Sequence, residues 1–154
     1  MSNRRCPAAA VMATVCLAAA APARAQSVGV RAGISGDPDQ FFFGGHIETR
    51  PVAEHVTFRP NVEVGVGDGL TLVTANIEFV YSLHPNRRSL WRIYLGGGPA
   101  AVVTTDRIPR GTTDVGGGFN VLVGAQHREG FFSEVKVGFA DSPEFKATVG
   151  YVFR

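Results

Sequence analysis

Hydrophobic and polar residues alternate along most of this chain, and the alternation is clearest between Leu70 and Leu83. Every second residue of this segment belongs to a set without charge. The residues between the members of this uncharged set carry amides, hydroxyls and one carboxylate, that of Glu78. Side chains of a β-strand point alternately to the two faces of a sheet, so the pattern predicts a strand with one apolar and one polar face. The uncharged set consists of Thr71, Val73, Ala75, Ile77, Phe79, Tyr81 and Leu83.

The same alternation predicts eight strands, and no segment has a helical period. Turns rich in Gly, Pro, Asp, Asn and Ser separate the strands. There is no low-complexity linker, so a single domain is expected over 26–154. The predicted strands are 28–34, 41–50, 56–66, 70–83, 90–103, 114–126, 131–140 and 144–153.

Charged residues and glycines share one face of these strands, and apolar residues occupy the other. A strand surface in water gains nothing from Gly, which weakens strands, whereas a narrow lumen needs small residues beside long charged ones. The glycines on the charged face are Gly29, Gly33, Gly65, Gly96, Gly98, Gly116, Gly118, Gly124, Gly138 and Gly150.

The charges on the polar face nearly balance, as enclosed charges must, because an isolated buried charge is costly. Aromatic residues such as Trp91 and Tyr151 lie toward the ends of the apolar faces, as in interfacial girdles. The prediction is an all-β protein: an eight-stranded antiparallel up-and-down transmembrane β-barrel. Its predicted structural lumen network comprises Arg31, His46, Glu48, Arg50, Arg59, Glu63, Glu78, Arg92, Glu134, Lys136 and Lys146.

Residues 1–25 have the pattern of a secretory signal peptide. Arg4 and Arg5 precede a short apolar run, and Ala23-Arg24-Ala25 fits a small-x-small cleavage site. Cleavage after Ala25 would remove both cysteines and three arginines. The mature chain would then lack thiol chemistry and an excess of positive charge, which disfavours nucleic-acid binding.

Two prolines fall inside predicted strands, where they cannot donate to a ladder. Pro60 lies in the third strand, and Pro99 follows three glycines in the fifth. For Pro99 we expect a bulge or an early end of the strand, or else a strand boundary placed elsewhere.

The signal peptide, the eight amphipathic strands and the closing segment Phe145-x-x-x-Val149-Gly150-Tyr151-Val152-Phe153 resemble small outer-membrane β-barrel proteins, the class of the outer-membrane protein A transmembrane domain. The resemblance implies an outer-membrane location, contact with membrane lipid and a monomeric barrel. It also implies an assembly signal, here Tyr151 and Phe153, read by the barrel-insertion machinery. In this chain Arg154 follows Phe153, so the aromatic residue is next to last.

No residue pattern predicts catalysis, a cofactor or a metal ion. His55, His84 and His127 fall in predicted turns, and the sequence lacks an HExxH motif and any Cys/His ligand spacing. Ser133 and Glu134 are adjacent in a strand and therefore point to opposite faces, so they form no catalytic pair.

We therefore expect a small non-enzymatic barrel with a structural, surface-interaction or minor, porin-like conductance role. An eight-stranded barrel is largely filled by its own side chains, which excludes wide diffusion. With the termini in the periplasm, the outer loops are short, and 104–113, with Asp106, Arg107 and Arg110, offers the most recognition surface. The alternative is a soluble periplasmic β-barrel that binds a small apolar ligand.

Overall fold

A computed structural model of the chain describes residues 27–67, 69–83, 89–106 and 113–153. The predicted signal peptide 1–25, His84, Arg107, Arg110 and Arg154 lie outside the described residues. The described ranges contain nine strands: β1 Ser27–Gly36, β2 Gln40–Glu48, β3 Pro51–Ala53, β4 Val56–Gly67, β5 Leu70–Ser82, β6 Trp91–Asp106, β7 Thr113–His127, β8 Phe131–Ala140 and β9 Phe145–Phe153.

Eight of these strands form a closed antiparallel barrel. Each pairs with its neighbour in the chain, while β1 also pairs with β9 and β2 pairs with β4. Val28 stands opposite Phe153 at one end of the β1–β9 seam, and Gly36 stands opposite Phe145 at the other. Closure gives every wall strand a paired neighbour on both sides along the body of the barrel. The predicted fold class is confirmed.

The apolar face of the barrel is its outer face. In β5, Val73, Ile77 and Phe79 are exposed, while Asn76 and Glu78 between them are buried. The other wall strands follow the same parity, with Arg59, Glu63, Lys136 and Lys146 inside. The alternative of a barrel with an apolar ligand cavity is therefore wrong.

Aromatic side chains lie at both ends of the outer surface. One end of the barrel carries Ser27 and Phe153, the first and last described residues, and we call it the end that holds the termini. There Trp91 packs edge-on against His127 with ring centroids 5.0 Å apart, and Tyr151 lies between Phe131 and Phe153. At the opposite end of the described strands, the exposed aromatic residues are all phenylalanines, namely Phe41, Phe119, Phe139 and Phe145. No helix long and apolar enough to cross a membrane occurs in the described ranges.

The chain passes straight through Pro99, so the expected bulge or early strand end is wrong. On the β5 side, Gly97 before the proline pairs with Phe79 and Ala100 after it pairs with Asn76, in the same register, while the two pairs between them are absent from the ladder. On its other side Pro99 stands opposite Phe119 of β7, in an uninterrupted run of pairs. The neighbouring strands thus hold β6 in register across a residue that has no N–H.

The chain bends after β2, and the residue alternation did not predict this bend. β2 ends at Glu48, and β3 then pairs with the start of β4, where a turn was expected. The Thr49 hydroxyl donates to the Arg50 carbonyl, and Pro51 follows directly, which restricts the backbone of Arg50. Together these residues turn the chain at the end of the barrel that holds the termini.

Candidate functional site

Three carboxylates meet in the middle of the lumen. Glu63 comes from β4, Glu78 from β5 and Glu134 from β8, and all three are buried. Each lies on the inward parity of its strand, which is why three separate strands deliver them to one place. Carboxylates that stay charged in such a place need cations close by.

Lys136 of β8 is the central cation. Its Nζ lies 2.6 Å from Glu78 Oε1, 3.0 Å from Glu63 Oε1 and 3.6 Å from Glu134 Oε1. One ammonium group therefore faces all three carboxylates. Lys136 itself is buried, so its charge is balanced by protein groups rather than by bulk water.

Three more cations surround this centre. Arg59 bridges Glu78 and Glu134, with Nη2 3.2 Å from Glu78 Oε2 and a close contact to Glu134 Oε2. Arg31 Nη1 lies 3.1 Å from Glu63 Oε1, and Lys146 Nζ lies 2.7 Å from Glu63 Oε2. We call the seven residues the central ion cluster: Arg31, Arg59, Glu63, Glu78, Glu134, Lys136 and Lys146.

Aromatic rings lie against three of the four cations of the cluster. Phe132 lies 5.7 Å from the Arg31 guanidinium carbon, Tyr94 lies 5.1 Å from that of Arg59, and the Lys146 ammonium is 5.2 Å from the Phe42 ring centroid. The Tyr94 hydroxyl also donates to Glu134 Oε2 at 3.0 Å. Cation–π contacts of this kind strengthen when water is excluded. Phe42 and Phe132 were not foreseen as members of the lumen.

A glycine stands directly opposite each large inward ring. Gly150 pairs with Phe132, Gly124 with Tyr94 and Gly33 with Phe42. A Cβ added to any of these glycines would collide with the ring that faces it. The inward glycines thus make room for rings as well as for the long charged side chains that suggested their role.

A row of amides crosses the lumen beside the cluster. Asn76 Nδ2 donates to Asn61 Oδ1 at 2.7 Å, and Asn120 Nδ2 donates to Asn76 Oδ1 at 2.8 Å. The row links β4, β5 and β7, passing over Gly98 of β6, which pairs with Asn120 and has no side chain in the way. Together, the central ion cluster and the amide row fill the middle of the barrel.

Four other predicted network residues lie away from the centre. His46 Nδ1 accepts from Arg31 Nε at 3.4 Å, and its Nε2 is 3.8 Å from Glu48, which extends the cluster toward the end that holds the termini. Arg92 donates to Gln126. Arg50 is exposed in the bend after β2 and is not part of the lumen, because β2 ends two residues earlier than predicted.

The described residues hold no group of three or more His, Cys, Asp or Glu side chains that could bind a metal ion. Ser133 is exposed on the outer wall while its neighbour Glu134 is buried in the lumen, so the two face opposite ways. His55 and His127 each lie at a turn, beside the exposed carboxylates of Glu54 and Glu129. The contacts among the lumen side chains are ion pairs and hydrogen bonds.

One solved structure gives the fold a known counterpart. The structure superposes on the crystal structure of Neisserial surface protein A with a TM-score of 0.65, covering 82% of this chain and 93% of that one at 11% sequence identity. The chain has the fold of the small eight-stranded outer-membrane barrels. At this identity the likeness concerns the fold. No family model and no curated protein matches the chain.

Proposed function

We propose that the chain is a small non-enzymatic barrel of the outer membrane, closed to solutes by its central ion cluster, whose role is structural or lies in contacts made at its rims. The observation that carries the proposal is the inversion of the barrel: charges fill its interior and apolar side chains cover its wall. Such a wall suits hydrocarbon, where every backbone group must be paired within the protein, as closure ensures.

Several further features of the proposal come from the sequence. The chain is exported by residues 1–25, cut after Ala25 and inserted by the barrel-insertion machinery, which reads Tyr151 and Phe153. An even number of wall strands puts both termini on one side of the membrane, and the proposal takes this to be the periplasmic side. The barrel then works as a monomer in contact with membrane lipid. Sequencing the mature N-terminus tests the first step, with Gln26 expected as the first residue.

The membrane assignment is tested by extraction and gel migration. The protein should require detergent, and unboiled samples should migrate apart from boiled samples in SDS gels, because the closed barrel resists SDS. Trp91, the single tryptophan of the chain, lies at the rim and should be quenched by lipids brominated near the headgroup more than by lipids brominated deep in the chain. Recovery as a freely soluble periplasmic protein would refute the assignment.

The closed state is tested in planar bilayers. The seven buried side chains of the central ion cluster occupy the middle of the lumen, so the purified barrel should show little or no steady conductance. A wide, steady pore current from folded protein would contradict the plugged lumen while leaving the membrane assignment intact. The two proposals therefore fail separately.

A further inference from the structure

Strand β7 extends past its neighbour β8 at the loop end of the barrel, the end opposite the termini. The last pair between them joins Gly118 to Ala140, whereas β7 begins five residues earlier, at Thr113. On the other side, β6 accompanies β7 to the pair Thr105–Thr113. Along Thr113–Gly117, no strand within the described ranges occupies the β8 side, so this stretch is a free edge, which we call the β7 edge.

Strand β8 ends at Ala140, and its pairing with β7 stops there. This residue has a φ of 61°, in the left-handed region that a residue with a Cβ seldom adopts. Asp141 and Ser142 then fold over Gly116 and Gly118 instead of continuing the ladder. The β7 edge is therefore a built feature of the fold at a defined residue, rather than a frayed strand end.

Two hydrogen bonds show which backbone groups face the open side. The Gly117 N–H donates to Asp141 Oδ2 at 3.0 Å, and the Val115 N–H donates to Asp114 Oδ1 at 3.0 Å. In an antiparallel strand the N–H and C=O of one residue point to the same side, so the carbonyls of Val115 and Gly117 face outward as well. Exposed carboxylates thus occupy the donors that a partner strand would use.

The side chains along the β7 edge leave room for another backbone. Val115 is 70% exposed, and a Cβ placed on Gly117 would meet nothing within 4 Å. By contrast, the short strand β3 at the other end of the barrel carries Pro51, which has no N–H to offer a partner. The chain protects one exposed edge with proline and leaves the other edge open.

The exposed charged side chains described at the loop end are acidic, and Asp114 and Asp141 lie at the β7 edge itself. The described residues at the loop end include no exposed Lys or Arg, although Arg107 and Arg110 of the intervening loop lie outside the described residues. A second copy of the chain paired edge to edge would bring two such acidic rims together, which repulsion disfavours. The exposed acids of this end are Asp37, Asp39, Asp114, Asp141 and Glu144.

We propose that the β7 edge binds an extended, basic peptide segment of a partner protein by strand addition. The incoming backbone takes the places of the Asp114 and Asp141 carboxylates on the Val115 and Gly117 N–H groups. The released carboxylates then face the basic side chains of the peptide, so that main-chain bonds supply affinity and charge supplies selectivity. The inference deepens the proposed role at the rims and rests on it for placing this edge outside the cell.

The experiment measures binding of a short peptide of alternating Lys and Thr to the full-length barrel, folded in detergent micelles. The control peptides carry Glu in place of Lys, or N-methyl groups on alternate amides. At low salt concentration the Lys peptide should bind. The N-methylated peptide should bind at least about tenfold more weakly, because N-methylation removes backbone hydrogen bonds. The Glu peptide should not bind.

Variants of the barrel locate the contact. Val115→Pro removes an edge N–H without removing a β6 ladder bond and should weaken binding at least about tenfold, whereas Val115→Thr keeps the N–H and should bind normally. Asp141→Asn should weaken binding more than Asp37→Asn, which makes the same charge change away from the edge. SDS-gel migration of unboiled samples confirms that each variant is folded.

Three results overturn the inference. They are an absence of binding by the Lys peptide, equal binding of the N-methylated peptide, and equal binding by the Val115→Pro and Val115→Thr barrels. The last two results would indicate a purely electrostatic surface. If Val115→Pro fails to fold, the N-methylated peptide still decides the outcome. None of these measurements depends on where the barrel resides, so their failure is distinct from a failure of extraction or gel migration.

Discussion

The imidazole of His46 lies over the position where a Cβ on Gly29 would stand, and the two residues are direct partners across β1 and β2. All three of the nearest atoms around that position belong to the His46 ring, and none belongs to the backbone. The absence of a side chain at Gly29 therefore decides where His46, and through it Arg31, can lie.

Gly29→Ala should destabilise the barrel by about 1–3 kcal/mol, because the His46 ring must leave its place in a packed interior. In a His46→Ala background the same substitution should cost little, since the obstacle is gone. A double-mutant cycle on urea unfolding in lipid vesicles measures this coupling. Additive costs would show that Gly29 is needed for a reason other than the ring.

Lys136 and Lys146 carry equal charge in the same cluster but have unequal surroundings. Lys136 faces three carboxylates and Lys146 faces Glu63 alone. Lys136→Met should therefore cost about 3–5 kcal/mol, the range for breaking a buried pair, and Lys146→Met clearly less. Unfolding of the two variants side by side tests the ranking. Equal losses would mean that overall charge balance, rather than local contact, sets the stability.

Glu78 is 0% exposed and contacts both Arg59 and Lys136. Glu78→Leu should lower the free energy of unfolding by several kcal/mol, because it leaves buried cations with fewer partners. Glu54→Gln is the matched control, since Glu54 is exposed at a turn and an exposed charge contributes little. Unchanged urea stability of the Glu78 variant would argue against the cluster as a stabilising element.

Phe153 and Phe139 are each 55% exposed on the outer wall, at opposite ends of the barrel. If Phe153 acts as an assembly signal, Phe153→Ala should reduce the folded fraction recovered from cells, while Phe139→Ala should have a smaller effect. Folding of both purified proteins from urea into vesicles separates assembly from stability. A similar loss for both variants in cells would argue against a special role of Phe153.

Most of the fold could be predicted from strand parity, the alternation of inward and outward residues along each strand. In β5 and β8 the charged residues Glu78, Glu134 and Lys136 all fall on one parity and most apolar residues on the other, so the faces could be assigned before any pairing was known. Burial then follows from parity, because a shift of one residue would place Glu78 or Lys136 on the outer wall. The central ion cluster is the direct result of this constraint.

The inward aromatics were harder to predict. Phe42 and Phe132 occupy inward positions by parity, yet aromatic residues were expected mainly on the outer girdles. The usable signal was the glycine opposite each ring, which becomes visible only when the register of the neighbouring strand is known. Pairing across strands is a long-range property, and alternation within one strand does not contain it.

The errors near Arg50 and Pro99 have opposite causes. At Arg50 a local feature, the following Pro51, ended a strand that the alternation appeared to extend. At Pro99 the local feature was overruled, because β5 and β7 on either side fix the register of β6. Local rules therefore decide where a strand ends at the rim of the barrel, and tertiary pairing decides inside its wall.

The alternation has one more consequence, for the chain before it folds. Charged and polar residues that face the lumen interrupt the apolar residues of every wall strand, so none of the described wall strands is one continuous apolar stretch. Before it folds, the described chain therefore presents no segment of the roughly 20 apolar residues that a bilayer-spanning helix needs. Its outward side chains become one closed apolar surface only when β1 meets β9.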